Sequence, residues 1–147
     1  KLAIGADHAG FEYKEILKAF LADYQVTDFG THSLDSVDYP DFAHPVASSV
    51  EKGEADFGIL VCGSGQGVAI TANKHQGIRA AVTWLTDIAK LSRQHNNANV
   101  IAVGGRMHEA DFVKQLIDTF IATPFPGDER HQRRIKKVSN YEITGDL

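Results

Sequence analysis

Short apolar runs alternate along the whole chain with longer stretches whose apolar residues recur at helical spacing. Several of the short runs are continuously apolar, which is typical of parallel strands covered on both faces. Strands and helices that alternate in this way predict an α/β fold with a parallel sheet and right-handed crossovers. The predicted strands cover residues 2–6, 25–29, 57–61, 78–82 and 100–103.

Amphipathic or helix-like stretches fill the gaps between these strands, and Pro40 is a good first-turn residue for one of them. The predicted helices cover residues 13–21, 41–50, 68–73, 86–93, 112–121 and about 128–139. Residues 1–147 are expected to form a single domain. The one clear break, at residues 124–127, suggests that the last helix projects from the body toward a partner subunit.

The composition is that of an ordinary globular protein, with 43% hydrophobic and 23% charged residues. A net charge of −4 argues against a non-specific nucleic-acid surface. No apolar run approaches the roughly 18 residues that a membrane-spanning helix needs. The single cysteine, Cys62, excludes an internal disulfide and suits a reducing compartment. We therefore expect a cytoplasmic protein that binds neither nucleic acid nor membrane.

Ligands of open parallel sheets bind beyond the carboxyl ends of the strands. The residues that directly follow the predicted strands include many of the chemically capable side chains of the chain. They are Asp7, His8, Gly30, Thr31, Cys62 to Gly67, Thr83, Trp84 and Arg106. This concentration predicts that the functional site lies at that edge of the sheet.

Glycine occupies every second position after Cys62, at residues 63, 65 and 67. Such a loop turns tightly and exposes backbone N–H groups, here at the start of a predicted helix. A cysteine in that place favours the thiolate, which can act as a base or a nucleophile. The alternative is an inert buried cysteine in a tight turn, and this interpretation suits Cys62 better when the residue is considered alone.

Other functions of glycine-rich loops do not fit this segment. The spacing is G-x-G-x-G, whereas a dinucleotide fingerprint requires G-x-G-x-x-G. No G-K-[ST] follows, which excludes a nucleotide P-loop. A cysteine phosphatase loop would need an arginine several residues after the cysteine, and residues 68–71 contain none.

Asp7, His8 and His95 each have a functional and a structural interpretation. Asp7 and His8 could hold a sugar hydroxyl and an anion, or Asp7 could cap a helix beside an incidental histidine. His95 could be an acid–base group that titrates near neutrality, or part of a helix C-terminal cap. Its spacing alone favours the cap.

Three arginines are candidates for a phosphate clamp. Arg106 follows two glycines, while Arg130 and Arg134 share one face of the last helix. The alternative for Arg130 and Arg134 is a solvated basic surface. The seven histidines show no metal-ligand spacing, so no metal site is expected.

Five stretches of the chain together resemble the ribose-5-phosphate isomerase B family, which includes the galactose-6-phosphate isomerase subunits. In family order they are residues 5–10, 38–40, 61–67 with 72–74, 92–96 with 99–100, and 127–134. They span nearly the whole chain. The resemblance implies a Rossmann-like three-layer sandwich, in which a five-stranded parallel sheet carries helices on both faces.

The resemblance also implies the chemistry, which is interconversion of ribose 5-phosphate and ribulose 5-phosphate through an enediolate. Cys62 would be the base and His95 would open the sugar ring. Some family members carry glycine in place of this cysteine and glutamate after the loop, but this chain has Val68 there, so the role falls to Cys62. The hydroxyl of Ser64 and the N–H groups of Gly63, Gly65 and Gly67 would stabilise the enediolate oxygen.

The remaining implied roles concern substrate binding. The residues expected to hold sugar oxygens are Asp7, Tyr39 and Asn96, and those expected to hold the phosphate are His8, Arg106, Arg130 and Arg134. Strand ends are expected to supply every role. The family needs no metal or cofactor and forms homodimers, sometimes tetramers, with shared sites.

Two alternatives stay open. One is an isomerase of allose 6-phosphate, galactose 6-phosphate or a tetrose phosphate. The other is a non-catalytic sugar-phosphate binding module, which would not need Cys62 and His95 together.

Overall fold

The predicted apolar runs form one parallel sheet in the computed structural model, which describes all 147 residues. The strands are β1 (Leu2–Ala6), β2 (Val26–Asp28), β3 (Phe57–Cys62), β4 (Ala80–Val82) and β5 (Val100–Gly104). The helices are α1 (Phe11–Phe20), α2 (Pro40–Glu51), α3 (Gln66–Ala72), α4 (Thr86–Asn96), α5 (Ala110–Ala122) and α6 (Glu129–Thr144). The strand order is β2-β1-β3-β5-β4, and every neighbouring pair is parallel.

Alternate residues of the central strands contribute to two separate apolar cores. Ile4 and Ile59 pack against α1, α4 and α5 on one face of the sheet. Ala3 and Leu60 pack against α2 and α3 on the other face. The predicted three-layer α/β sandwich with a five-stranded parallel sheet is therefore confirmed.

Two glycines allow α2 to approach the sheet closely. A Cβ atom added at Gly5 would lie 2.8 Å from Cγ2 of Val46, and one at Gly58 would lie 2.9 Å from Cγ1 of the same residue. Side chains at these positions would push the helix outward. The close contact fixes α2 on β1 and β3, and so places the start of α2 beside the carboxyl end of the sheet.

The observed boundaries differ from the predicted ones at the sheet edges and at the C-terminus. Both edge strands, β2 and β4, have three residues. The last helix continues to Thr144 instead of ending near residue 139. Ser139 and Asn140 are weak helix formers, which favoured an earlier end. However, the Glu142 side chain accepts a hydrogen bond from the N–H of Gly77 at 2.8 Å and holds the last turns against the body.

A charge cluster holds β2 against α1. The fully buried Lys14 donates to Asp28 at 2.7 Å and to Glu15 at 2.8 Å, and Lys18 pairs with Asp28 at 2.8 Å. Burial alone would raise the pKa of the Asp28 carboxyl. Hydrogen bonds from Lys14, Lys18 and the N–H of Gly30 outweigh that effect and lower the pKa to about 2.

Asp28→Asn is expected to lower the free energy of unfolding at pH 7 by about 3 kcal/mol, because Lys14 then stays charged and buried with one partner fewer. The folded pKa lies below the ordinary 3.8, so the carboxylate stabilises the fold above that pH. This contribution is lost as the pH falls toward about 2. Urea unfolding of both proteins across this range measures the effect. Glu15→Gln, at a more exposed partner, serves as control and should cost less than about 1 kcal/mol. The prediction would be contradicted if Asp28→Asn lowered the free energy of unfolding by no more than Glu15→Gln does.

Candidate active site

The strands of the sheet all end at one edge, here called the carboxyl edge, and all begin at the opposite edge, the amino edge. Cys62 pairs with Gly104 at the carboxyl edge, and Gly58 pairs with Val100 at the amino edge. At roughly 3.3 Å per residue, these two levels are about 13 Å apart along the strand. The edge at which an element begins or ends therefore decides which site residues can meet within one chain.

Cys62 is the last residue of β3, and its side chain is 5% exposed. Its Sγ atom accepts a hydrogen bond of 3.1 Å from the backbone N–H of Gly65, which is the N-cap residue of α3. An N–H donor at the positive end of a helix stabilises a thiolate relative to a thiol. Packing against the α2–α3 core explains the burial of Cys62, but it does not require a hydrogen bond to the sulfur.

Gly65 differs from its expected role. Its φ of 82° and the 3.0 Å gap between an added Cβ and Val103 explain why the position needs glycine. Its N–H was expected to face an enediolate oxygen, but in this structure it points at the sulfur of Cys62. The donors left for a substrate oxygen are the N–H groups of Gly63 and Gly67 and the exposed hydroxyl of Ser64.

Tyr39 comes to the same loop from the start of α2. A Cβ atom added at Gly67 would lie 2.6 Å from the Tyr39 ring, so the ring lies directly over that glycine. Tyr39 is 40% exposed, which leaves its side chain accessible to a ligand at the carboxyl edge. Tyr39 therefore lies beside the Cys62 loop, and its expected role in holding a sugar oxygen stays a prediction.

Asp7, His8 and Arg106 also lie at the carboxyl edge. Asp7 is 8% exposed and accepts a hydrogen bond from the N–H of Gly10 at 3.1 Å, but the N-cap residue of α1 is Gly10 and not Asp7. His8 Nδ1 accepts from the N–H of Val37 at 3.1 Å, so the neutral ring carries its proton on Nε2. His8 and Arg106 line one cavity of about 330 Å³. Their expected role in binding a phosphate stays a prediction.

Four predicted site residues lie at the other edge. His95 and Asn96 end α4, which runs from the end of β4 back to the start of β5, and Arg130 and Arg134 lie on α6. Asn96 and Arg134 line a shared cavity of about 470 Å³. The expectation that strand ends supply every role is therefore wrong for these four, because a helix that follows a parallel strand returns to the amino edge.

Two arginines hold the end of α4, and the sequence analysis did not single them out. Arg79 Nε donates to the carbonyls of Asn96 and Asn97, both at 3.0 Å. The largely buried Arg93 donates to the carbonyls of Ala98 and Thr123. Burial lowers the pKa of both guanidinium groups, and the charge of Arg79 lowers that of Arg93 further. Cations at a helix C-terminus are favourable, so this pair fixes the segment that carries His95.

One more residue contacts a predicted site residue. His131, also not singled out, lies buried under the ring of His95. Only its position between two predicted site arginines of one helix could have indicated it.

No group of three or more His, Cys, Asp or Glu side chains is arranged to hold a metal ion. None of the helices has the length and apolarity that crossing a membrane requires.

Comparison with known proteins identifies the family. The family model described as Ribose/Galactose Isomerase matches residues 2–138. The chain belongs to this family. It is 42% identical to ribose-5-phosphate isomerase B of Escherichia coli over 97% of this chain and 96% of that protein. A putative sugar phosphate isomerase of Bacillus subtilis is also 42% identical, with 97% of each chain covered.

Solved structures of family members agree over the full fold. Ribose-5-phosphate isomerase B of Clostridium thermocellum gives a TM-score of 0.95 at 44% identity, with 99% of each chain covered. The enzyme of Mycoplasma genitalium with bound ribulose-5-phosphate gives a TM-score of 0.93 at 40% identity, covering 97% of this chain and 96% of that one. The family resemblance predicted from the five stretches is therefore confirmed.

Proposed function

We propose that the chain is an aldose–ketose isomerase that interconverts ribose 5-phosphate and ribulose 5-phosphate, with Cys62 as the base. The observation that carries this proposal is the hydrogen bond from the N–H of Gly65 to the Cys62 sulfur at the start of a helix. It directs a backbone N–H donor at the buried sulfur where the α3 helix begins. The proteins named ribose-5-phosphate isomerase B among the relatives support the choice of substrate.

The proton transfer follows from the placement of the sulfur. With the sugar in its open aldehyde form, the thiolate of Cys62 removes the proton from C2. The C2–H electrons form a C1–C2 double bond, and the carbonyl electrons move to O1, which gives the enediolate. The thiol then returns the proton to C1, and the proton of the C2 hydroxyl passes to O1, so that C2 becomes the ketone and C1 carries a hydroxyl.

The negative charge on O1 needs donors that are already in place. Gly63, Ser64 and Gly67 provide donors beside the sulfur and near the start of α3, where the helix dipole adds positive potential. We assign the oxyanion role to these three and a sulfur-holding role to Gly65. Asp7 and Tyr39 lie at the same edge and would hold sugar hydroxyls.

His95 ends a helix at the amino edge, whereas Cys62 lies at the carboxyl edge, and these two levels of the sheet are about 13 Å apart along the strands. We therefore infer that the two residues do not meet in one chain. The proposal therefore includes a homodimer in which the carboxyl edge of one chain meets the amino edge of the other. A twofold axis makes such contacts in pairs, so one dimer would hold two complete sites. Each site would take Cys62 from one chain, and His95 of the partner subunit would open the ring.

The phosphate would be bound by both chains in this arrangement. His8 and Arg106 come from the chain that supplies Cys62. Arg130 of the partner subunit and Arg134 of the partner subunit would complete the clamp, and Asn96 of the partner subunit would hold a sugar oxygen. Guanidinium groups suit this role because they bind phosphate through two parallel hydrogen bonds. The single free cysteine fits a cytoplasmic enzyme.

A turnover panel tests the proposed function. The purified chain is assayed with ribose, allose, galactose and erythrose phosphates, and the ketose product is measured. We expect the highest kcat/KM with ribose 5-phosphate. A higher value with another aldose phosphate would assign that substrate instead. No turnover with any of them, together with measurable binding of a sugar phosphate, would favour a non-catalytic binding module.

A further inference from the structure

The exposed ring of His95 rests on a buried second imidazole. His95 lies in the last turn of α4 and His131 in the first turn of α6. Their ring centroids are 4.4 Å apart, and the ring planes differ by 17°. His95 is exposed, whereas His131 is 6% exposed. One histidine of the pair can therefore reach a ligand, and the other forms the surface beneath it.

The surroundings of His131 disfavour a positive charge on its ring. Burial lowers the pKa of His131, and the nearby positive groups, His95 on α4 with Arg130 and Arg134 on α6, lower it further. Asp128, at the start of α6, acts in the opposite direction but does not outweigh them. His131 therefore stays neutral near neutral pH and presents an uncharged aromatic face.

Two stacked imidazoles at this distance do not carry two positive charges easily, because the charges repel each other across the contact. Since His131 is the buried member, a positive charge on its ring is disfavoured. A neutral ring face below a protonated imidazole is also a favourable cation–π arrangement. Parallel stacking leaves both nitrogens of His95 at the ring edge, where a substrate oxygen could meet them.

We propose that His131 is a positioning residue for His95, which holds the exposed ring in one orientation by face-to-face stacking. This inference rests on the proposed function, in which His95 exchanges a proton with the sugar ring. The stack gives the ring of His95 a support that no other aromatic side chain provides. His131 itself does not touch the substrate in this scheme.

Replacement of His131 by alanine and by phenylalanine separates this role from others. His131→Ala removes the stack, and we expect kcat to fall roughly 10- to 100-fold through misplacement of His95. His131→Phe keeps a flat, uncharged face and should recover most of that turnover, with little change in KM. The acid limb of the pH–rate profile should move in the alanine variant. His44→Ala, outside both groups of site residues, is the control.

Imidazole NMR provides a readout that does not depend on turnover. Across a pH titration of the wild-type protein, the His95 signals should shift while those of His131 remain in their neutral position, and the His95 titration should change in His131→Ala. If both variants lose the same amount of kcat/KM, and the loss comes from a higher KM, the proposal is overturned and His131 is instead a phosphate ligand. If turnover, the pH–rate profile and the His95 NMR signals of His131→Ala are the same as those of the wild type, the proposal is overturned outright. Absent wild-type isomerase activity would refute the proposed function instead, and the NMR result would still decide whether the stack governs His95.

Discussion

Cys62→Ala is expected to reduce kcat for ribose 5-phosphate by roughly 10³- to 10⁴-fold, while the substrate still binds. The sulfur is the only group at the Cys62 loop that we assign to carry the proton between C2 and C1, and loss of a general base has an effect of about this size. The phosphate clamp and the oxyanion donors are unchanged in the variant. Coupled assays measure kcat, and calorimetric titration measures binding.

The variant must be shown to fold, because Cys62 is buried in the α2–α3 core. Loss of one small buried side chain should cost on the order of 1 kcal/mol, which leaves the fold intact. Ser49→Ala is a matched control, since Ser49 is 5% exposed, lies within α2 and has no assigned role. Its turnover should stay close to that of the wild type. Undiminished turnover in Cys62→Ala would remove Cys62 from the mechanism.

The central strands were predicted well because the apolar runs that indicate them are a local property of the sequence. The runs that became β1, β3 and β5 are apolar over nearly their whole length, and the fold buries both of their faces. The short edge strands were overestimated, since flanking apolar residues extend the pattern beyond the residues that pair. The extent of α6 was underestimated because a contact between Glu142 and a distant loop stabilises its end.

The sequence predicted a set of site residues, but it did not indicate that these residues lie at two different edges of the sheet. Cys62, Tyr39 and Arg106 converge because each follows a strand or starts a helix at the carboxyl edge. His95 is close to β5 in sequence, yet it precedes the strand and therefore lies at the opposite end. The hydrogen bond from Gly65 to sulfur and the stacking of His131 depend on atomic positions that no residue pattern specifies.

The second large effect concerns complementation between two inactive chains. In the proposed homodimer, Cys62→Ala removes the proposed base, and His95→Ala should lower turnover roughly 10²-fold because ring opening would no longer be assisted. In a heterodimer of the two variants, one site combines the intact Cys62 of one chain with the intact His95 of the other. The second site lacks both groups. Differently tagged chains, co-expressed and purified through both tags, give this heterodimer directly.

The central claim is that one ribose 5-phosphate is processed by Cys62 of one chain and His95 of its partner. The activity of the purified Cys62→Ala/His95→Ala heterodimer tests this claim most directly. We predict about half of the wild-type turnover per dimer, because one of its two sites is complete. Activity no higher than the average of the two parent variants would contradict the shared site, as would a fully active monomer in sedimentation experiments.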